Sequence, residues 1–353
     1  RKLTVDKVDS HLPFHSVYFS IHSRMKLGIV GGTGMLGHHL AIAATFKQYE
    51  LVLIHRKSTD LSKVKDLEFE SREADLNERG SLIRAFQGLD YVVNAAAYYP
   101  TLPRPLAAEL KTARHQMHYF LDAVREAGIK RALYVGGAIA IPKVKSGLAN
   151  EEGVYKEAPD NNAAYVQVKW LMDKMVREAA SEGLPVVIGI PSMTFGEYDF
   201  GPTTGRLIVE LANQTLPAYI HGKRNAVYAG DAGRGLLLAL EKGRFGERYL
   251  ITGKNTDTAK VVEIISKTAG VPKLEKTLSL KVAKLVSKFQ ETKYSLVKGT
   301  PPTLSSTAVA VLASGQHLDG SKSKEELGYE PELDLEDAIF RAYQWFKKEK
   351  YIH

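Results

Sequence analysis

Cysteine is absent from all 353 residues. That excludes a disulfide framework, a thiolate zinc centre and a cysteine nucleophile; it suits a reducing compartment, so a cytoplasmic location is expected. No apolar run approaches the roughly 18 residues that a membrane-spanning helix needs, and no membrane partner is expected. No internal repeat is visible. The 48 lysines and arginines outnumber 40 acids, for a formal charge of +8, yet they form no dense stripe interleaved with aromatics. A nucleic-acid groove is therefore disfavoured, and a small anionic ligand such as a pyrophosphate fits the charge better. The rest of the composition, 44% hydrophobic and 25% charged, is that of a globular chain long enough for two lobes.

Residues 1–24 lack periodicity, and Met25 stands just before the first clear strand. A disordered extension is expected there rather than a targeting signal. Asp6 and Asp9 dilute its basic character, and no apolar stretch precedes a small-residue cleavage site. From Lys26 onward short apolar runs alternate with helical stretches: KLGIVG, MLGHHLAIAATFKQY, ELVLIH, RGSLIRAFQG, LDYVVNAA, then a long helix ending at Gly128, the strand KRALYVGG, a further helix and LPVVIGIP. Strand–helix alternation predicts a doubly wound parallel α/β sheet of the Rossmann kind over 25–190. Residues 191–353 are predicted to be mainly a smaller substrate-binding lobe, with some segments returning to the sheet. GPTTGRLIVELANQ reads as a helix there, NAVYAG as a strand, AGRGLLLALEKG as a helix and ERYLITG as a strand. TPPTLSS reads as a polar linker, and two helices follow around a proline turn.

The sharpest motif is VGGTGMLG, in which Gly31, Gly34 and Gly37 follow the first strand and open a helix. Glycine allows the tight turn, lets backbone approach a pyrophosphate, and lets helix pack on sheet. The helix N-terminus adds free N–H groups and partial positive charge. At the end of the second strand an acid would accept hydrogen bonds from both ribose hydroxyls of NAD. This chain has Arg56, whose guanidinium suits a 2′-phosphate, so NADP(H) is favoured over NAD.

Tyr165 and Lys169, in AAYVQVKW, are four apart and share a helix face. An ammonium beside a phenol is expected to pull its pKa down from about 10, so that the oxygen exchanges protons near neutrality. The same spacing recurs at Tyr219/Lys223, Tyr294/Lys298 and Tyr343/Lys347, but the first pair alone lies between RALYVGG and PVVIGIP. That context would put it at the carboxyl ends of the strands. His38, His39, His115 and His118 come without an HExxH or a carboxylate cluster, so they read as surface or packing residues, and no metal is expected.

The ordered set of GxxGxxG, ADLN around Asp75, NAAA at Asn94 to Ala97, Tyr165/Lys169 and the closing SKSKEELGYEP resembles the extended, atypical-leaning short-chain dehydrogenase/reductases of the NAD-dependent epimerase/dehydratase family. The likeness runs from Met25 to the C-terminus. GPTTGR and RNAVYAGDAGRGLLLALEKGRFGERYLITG are similar to dihydroflavonol-reductase-like proteins, hopanoid-associated sugar epimerases and nucleoside-diphosphate-sugar epimerases. The resemblance implies a homodimer, Tyr165 as acid/base, Lys169 on the nicotinamide ribose, and a cofactor site of Gly31, Thr33, Gly34, Met35, Gly37, Arg56, Asp75, Leu76, Ala95, Ala96 and Pro191. It also matches Arg224 to an arginine that holds a sugar-nucleotide pyrophosphate, and Arg206 is a further candidate for an anionic substrate.

One position departs from the pattern. Where the family has a serine or threonine to bind the reacting oxygen, this chain has Gly137. Loss of one preorganised donor costs about 10² to 10³ in rate. Ser192, Thr194, Tyr98 or Tyr99 could supply the hydroxyl; otherwise turnover is slow, or the protein binds without catalysis. Gly137, Ala138 and Ile139 offer no acid, which argues against the dehydratase reaction. Three readings follow: a hydride-transferring epimerase of a nucleoside-diphosphate sugar, an NADPH-dependent carbonyl reductase, or a non-catalytic dinucleotide sensor. Arg206 and Arg224 favour the first.

Overall fold

Apolar runs of four to six residues separated by helix-length stretches can bury both faces of each strand in one way, as a parallel sheet covered on either side by helices. In the computed structural model, which describes residues 24–96, 98–100, 104–297, 302 and 304–353, that sheet has seven strands. The chain runs β1 (Lys26–Val30), α1 (Met35–Phe46), β2 (Glu50–His55), β3 (Glu70–Glu73), α2 (Arg79–Phe86), β4 (Tyr91–Asn94), α3 (Leu106–Glu126), β5 (Arg131–Val135), α4 (Ala164–Ser181) and β6 (Val186–Pro191). It continues through β7 (Met193–Phe195), α5 (Arg206–Ala212), β8 (Lys223–Tyr228), α6 (Ala229–Lys242), β9 (Arg248–Ile251), β10 (Lys254–Asp257), α7 (Thr258–Ala269), α8 (Leu280–Val297), α9 (Ser306–Ser314) and α10 (Leu335–Lys348). Of the predicted extension, only Arg24 falls within the described residues; Ala97 and much of TPPTLSS also lie outside them.

Strands lie in the order β3-β2-β1-β4-β5-β6-β9, every pairing parallel. The order reverses between β1 and β4, which opens a crevice at their carboxyl ends. One face is covered by α2, α3 and α4, whose Phe86, Phe120 and Met172 pack on Val92 and Ile188; α1 and α6 cover the other, with Leu40 and Leu236 on Leu27 and Leu133. Segments beyond Pro191 return to this body, since α6 covers it and β9 closes it beside β6.

A second, three-stranded sheet, β10-β8-β7, carries the smaller lobe. Its core joins Phe195, Ile208, Val261, Ile265, Ile339 and Phe346. The last helix shows how sequence makes that core. Asp334 caps α10 by accepting from the Asp337 N–H, and Leu335, Ala338, Ile339, Ala342, Trp345 and Phe346 recur at helical spacing on the buried side. The first of the two predicted C-terminal helices is a single wide turn at Ser323–Leu327, ended by Gly328 at φ +71°.

Candidate active site

The turn after β1 explains its glycines. Gly31 sits at φ +88°, and a β-carbon there would lie 2.7 Å from Cβ of Ala96. Gly37 approaches so closely that a β-carbon would come within 2.3 Å of the Gly31 carbonyl oxygen. Gly34, by contrast, is exposed and meets nothing nearer than that oxygen at 3.5 Å, so the backbone there is open to a ligand. Gly34 is the N-cap of α1 and no side chain caps the helix, so N–H groups of its first turn are left for another acceptor. Thr33 and Met35 flank that opening, and Ala95 and Ala96 form its floor at the end of β4, held by Ala95 N–H donating to Val30 O at 2.9 Å.

Arg56 stands exposed past the end of β2, and among the described residues its guanidinium has no partner. Asp75 follows β3. Its Oδ1 accepts from Asn77 N–H and Nδ2, both at 2.8 Å, and its backbone N–H donates to Ser81 Oγ. Leu76 is partly buried against the core beneath α2 and α3.

Three groups converge past the end of β5. A β-carbon at Gly137 would lie 3.4 Å from the Tyr165 hydroxyl and 3.6 Å from Cδ and Cε of Lys169. Tyr165 is the second residue of α4, and the loop before it is fixed by Gln167, whose Nε2 donates to Pro159 O and Asn161 O at 2.5 and 3.0 Å. Lys169 is buried with its ammonium 5.9 Å from the Tyr165 ring centre and 5.7 Å from that of Tyr134, and among the described residues it has no carboxylate or acceptor. The expected sign of the phenol's shift is reversed here. Burial raises the Tyr165 pKa above its ordinary value, and burial also pushes Lys169 down to about 8. Each group loses more by leaving water than it gains from the other at this separation.

The hydroxyls named from sequence are distributed unevenly. Tyr99 lies against Tyr165, ring centres 4.5 Å apart. Tyr98 turns the other way and donates to Glu109, a buried acid on α3 that no sequence motif marks. Thr194 donates to Ser192 O at 2.9 Å, and the Ser192 hydroxyl is buried without a partner just past Pro191, which ends β6. Both arginines are engaged. Arg206 pairs with Glu210 at 2.7 Å, and buried Arg224 donates to Lys223 O and Leu312 O at 2.7 and 3.0 Å, which ties the end of α9 to β8. Tyr165 also packs in one apolar cluster with Ile139, Ala163, Val166 and, from α9, Ala310.

The other Tyr-x-x-x-Lys pairs stand elsewhere: Tyr219 in a bridge to Thr277, Tyr294 on α8, Tyr343 and Lys347 on α10. His38 and His39 are buried packing residues, with His38 stacked on Tyr198 at 3.7 Å, while His115 and His118 are exposed on α3.

A glycine turn at the strand-order reversal with a Tyr–Lys pair two strands away agrees with the sequence profile described as "NAD dependent epimerase/dehydratase family", which matches residues 27–252. The chain belongs to that family. Its NAD-dependent relatives share the Rossmann-like sheet. A solved nucleoside-diphosphate-sugar epimerase from Pseudomonas aeruginosa is 38% identical, with a TM-score of 0.81 over 93% of this chain and 99% of that one. A putative dihydroflavonol 4-reductase from Synechocystis is 26% identical over 92% of this chain and 95% of its own length. Sterol demethylase protein B from Methylococcus capsulatus is 24% identical over 91% and 98%. Among the described residues of this family member, no helix is long and apolar enough to cross a membrane.

Proposed function

We propose that this protein is an oxidoreductase that transfers hydride at a carbinol or ketone carbon of an apolar compound, working with NADP(H) in preference to NAD(H). The observation that carries this reading is the convergence of the Tyr165 hydroxyl, Lys169 and Gly137 beside the crevice. The turn at Gly31, Gly34 and Gly37 with the start of α1 would hold the diphosphate of the coenzyme, Asp75 and Leu76 the adenine, Arg56 the 2′-phosphate, and Lys169 the nicotinamide ribose. When bound, the nicotinamide supplies or accepts the hydride.

Reduction is the direction that suits the site. Burial keeps Tyr165 protonated at neutral pH, so its hydroxyl can give a proton to the substrate oxygen as the carbonyl carbon gains hydride. Lys169 is mostly an ammonium below pH 8, and its positive charge steadies the phenolate left behind.

The arginines that favoured a sugar nucleotide are bonded within the protein, and Ile139, Val166 and Ala310 form an apolar side of the Tyr165 pocket. Both points favour a carbonyl compound over a nucleoside-diphosphate sugar. The epimerase reading keeps one specific support, the 38% identical Pseudomonas protein. Nicotinamide fluorescence separates them: titrate NADPH and NADH, then follow turnover with hydrophobic ketones and with nucleoside-diphosphate sugars. NADPH consumption with ketones is expected, and Tyr165→Phe should abolish it while leaving coenzyme bound. Coenzyme binding without turnover across both panels would favour a sensor.

A further inference from the structure

Helix α8 carries apolar residues on the side away from the protein. Of its 18 residues Ala283 and Ser287 are buried, while Leu285, Phe289 and Leu296 are 70%, 71% and 80% exposed and Val282 46%. At 100° per residue these four fall within an arc of about 60°, roughly opposite Ala283 and Ser287. Lys281 and Lys288 border the stripe on one side, with Lys284 further round the helix, and Lys293 borders it on the other, all exposed, and among the described residues none is paired with a carboxylate. Exposed arginines elsewhere commonly are paired, as Arg79 is with Asp122 and Glu126 and Arg244 with Glu326. The single acid of α8, Glu291, is engaged by Ser306, whose N–H and hydroxyl donate to it at 2.7 and 2.8 Å. The helix therefore presents an apolar stripe between unpaired cations.

We propose that α8 docks this protein on an anionic lipid surface. Valine, leucine and phenylalanine would sink below the headgroups while lysine stems reach back to phosphate, the arrangement of a helix lying in the plane of a bilayer. Among the described residues no helix is long and apolar enough to cross a membrane, and a helix lying on the surface needs only one apolar face. A second copy of the chain fits less well. Paired through α8 about a two-fold axis, each subunit would bring four unneutralised lysines to the same contact.

Position gives the docking a use. The inner side of α8 packs on α9 through Ala283 and Val309, and α9 packs on Tyr165, Ile139 and Val166 through Ala310. The lipid-facing helix is thus one helix removed from the reacting hydroxyl, so a bilayer-dissolved carbonyl compound would be delivered close to its site. This consequence rests on the apolar-substrate reading above, whereas docking itself does not.

Sedimentation of the full chain with vesicles tests it. Binding is expected to vesicles of phosphatidylcholine with phosphatidylglycerol, weakened by salt, and much less to phosphatidylcholine alone. Leu285→Ser with Phe289→Ser should weaken binding at least about tenfold. Lys284→Gln with Lys288→Gln should weaken it and flatten its salt dependence, with thermal melts showing each variant folded. Tyr165→Phe should sediment like wild type, so a failure of the chemistry would leave docking intact. The proposal is overturned if wild type ignores anionic vesicles, if the stripe variants sediment unchanged, or if light scattering shows that they dissociate a dimer.

Discussion

Replacing Gly137 by serine should speed the enzyme up. The backbone there has φ −145° and ψ 137°, extended values that any residue adopts. The added β-carbon meets the Tyr165 hydroxyl at 3.4 Å and Lys169 methylenes at 3.6 Å, which is ordinary contact, so a β-carbon there displaces neither group. Its hydroxyl then stands where a donor to the substrate oxygen is missing. Removing such a donor costs about 10² to 10³ in kcat elsewhere. Restoring one in a scaffold not tuned for it should recover part of that, about 10-fold to 10²-fold. Loss of glycine's freedom in the unfolded chain should add about 0.4–1 kcal/mol of stability, which gives an independent sign that the residue fits. The assay is kcat for NADPH oxidation with the best ketone, for wild type, Gly137→Ala and Gly137→Ser, beside their melting temperatures. Alanine provides the β-carbon without the hydroxyl. If Gly137→Ser turned over no faster than Gly137→Ala, the missing donor would not be what limits this site. Tyr99, whose ring packs against Tyr165, is the candidate to stand in for it. Tyr99→Phe should therefore slow wild type and have less effect when combined with Gly137→Ser.

Three further outcomes are expected. Arg56→Asp should weaken NADPH about 10-fold to 10²-fold and improve NADH, because a charge-assisted contact worth about 1.5–3 kcal/mol is replaced by an acid suited to ribose hydroxyls; an unchanged NADPH-to-NADH ratio in fluorescence titration would remove Arg56 from the site. Lys169→Met should abolish turnover and stabilise the fold at pH 7: the gap between 10.5 and about 8, at 1.36 kcal/mol per pH unit, amounts to about 3 kcal/mol. The sign follows from a depressed folded-state pKa. The native state carries the full penalty below pH 8 and sheds it as pH rises toward 10.5, so the gain measured by urea melts should shrink over that interval. Wild-type turnover should fall as pH rises through about 8, where the ammonium is lost.

The first lobe was legible because each signal there has a single structural use. An apolar run that ends in Gly31, followed by Gly34 and Gly37 at the opening of a helix, forms a strand, a turn and a close-packed helix, since a β-carbon at Gly31 or Gly37 collides with backbone. The second lobe was legible where amphipathic spacing was strong, as in α10, and illegible at α7, α8 and α9. Helix α8 is hidden from such a reading because its apolar spacing faces solvent, and a search for buried faces passes over a stripe of Val282, Leu285, Phe289 and Leu296 set among lysines.

At the site, Tyr165, Lys169 and Gly137 converge as the sequence spacing suggests, but the effect of burial on them was not legible. The spacing of Tyr165 and Lys169 puts them on one face; it says nothing about loss of water, and burial controls both pKa values. Arg224 shows the same limit. A motif match places an arginine there but does not reveal that one of its N–H groups donates to Leu312 O at the end of α9, 88 residues downstream. The segment that occupies Arg224 is the one that lays Ala310 beside Tyr165. One helix therefore both engages Arg224 and adds an apolar side chain beside Tyr165. The proposed preference for an apolar substrate rests on where α9 packs, which no motif in the nucleotide-binding half could disclose.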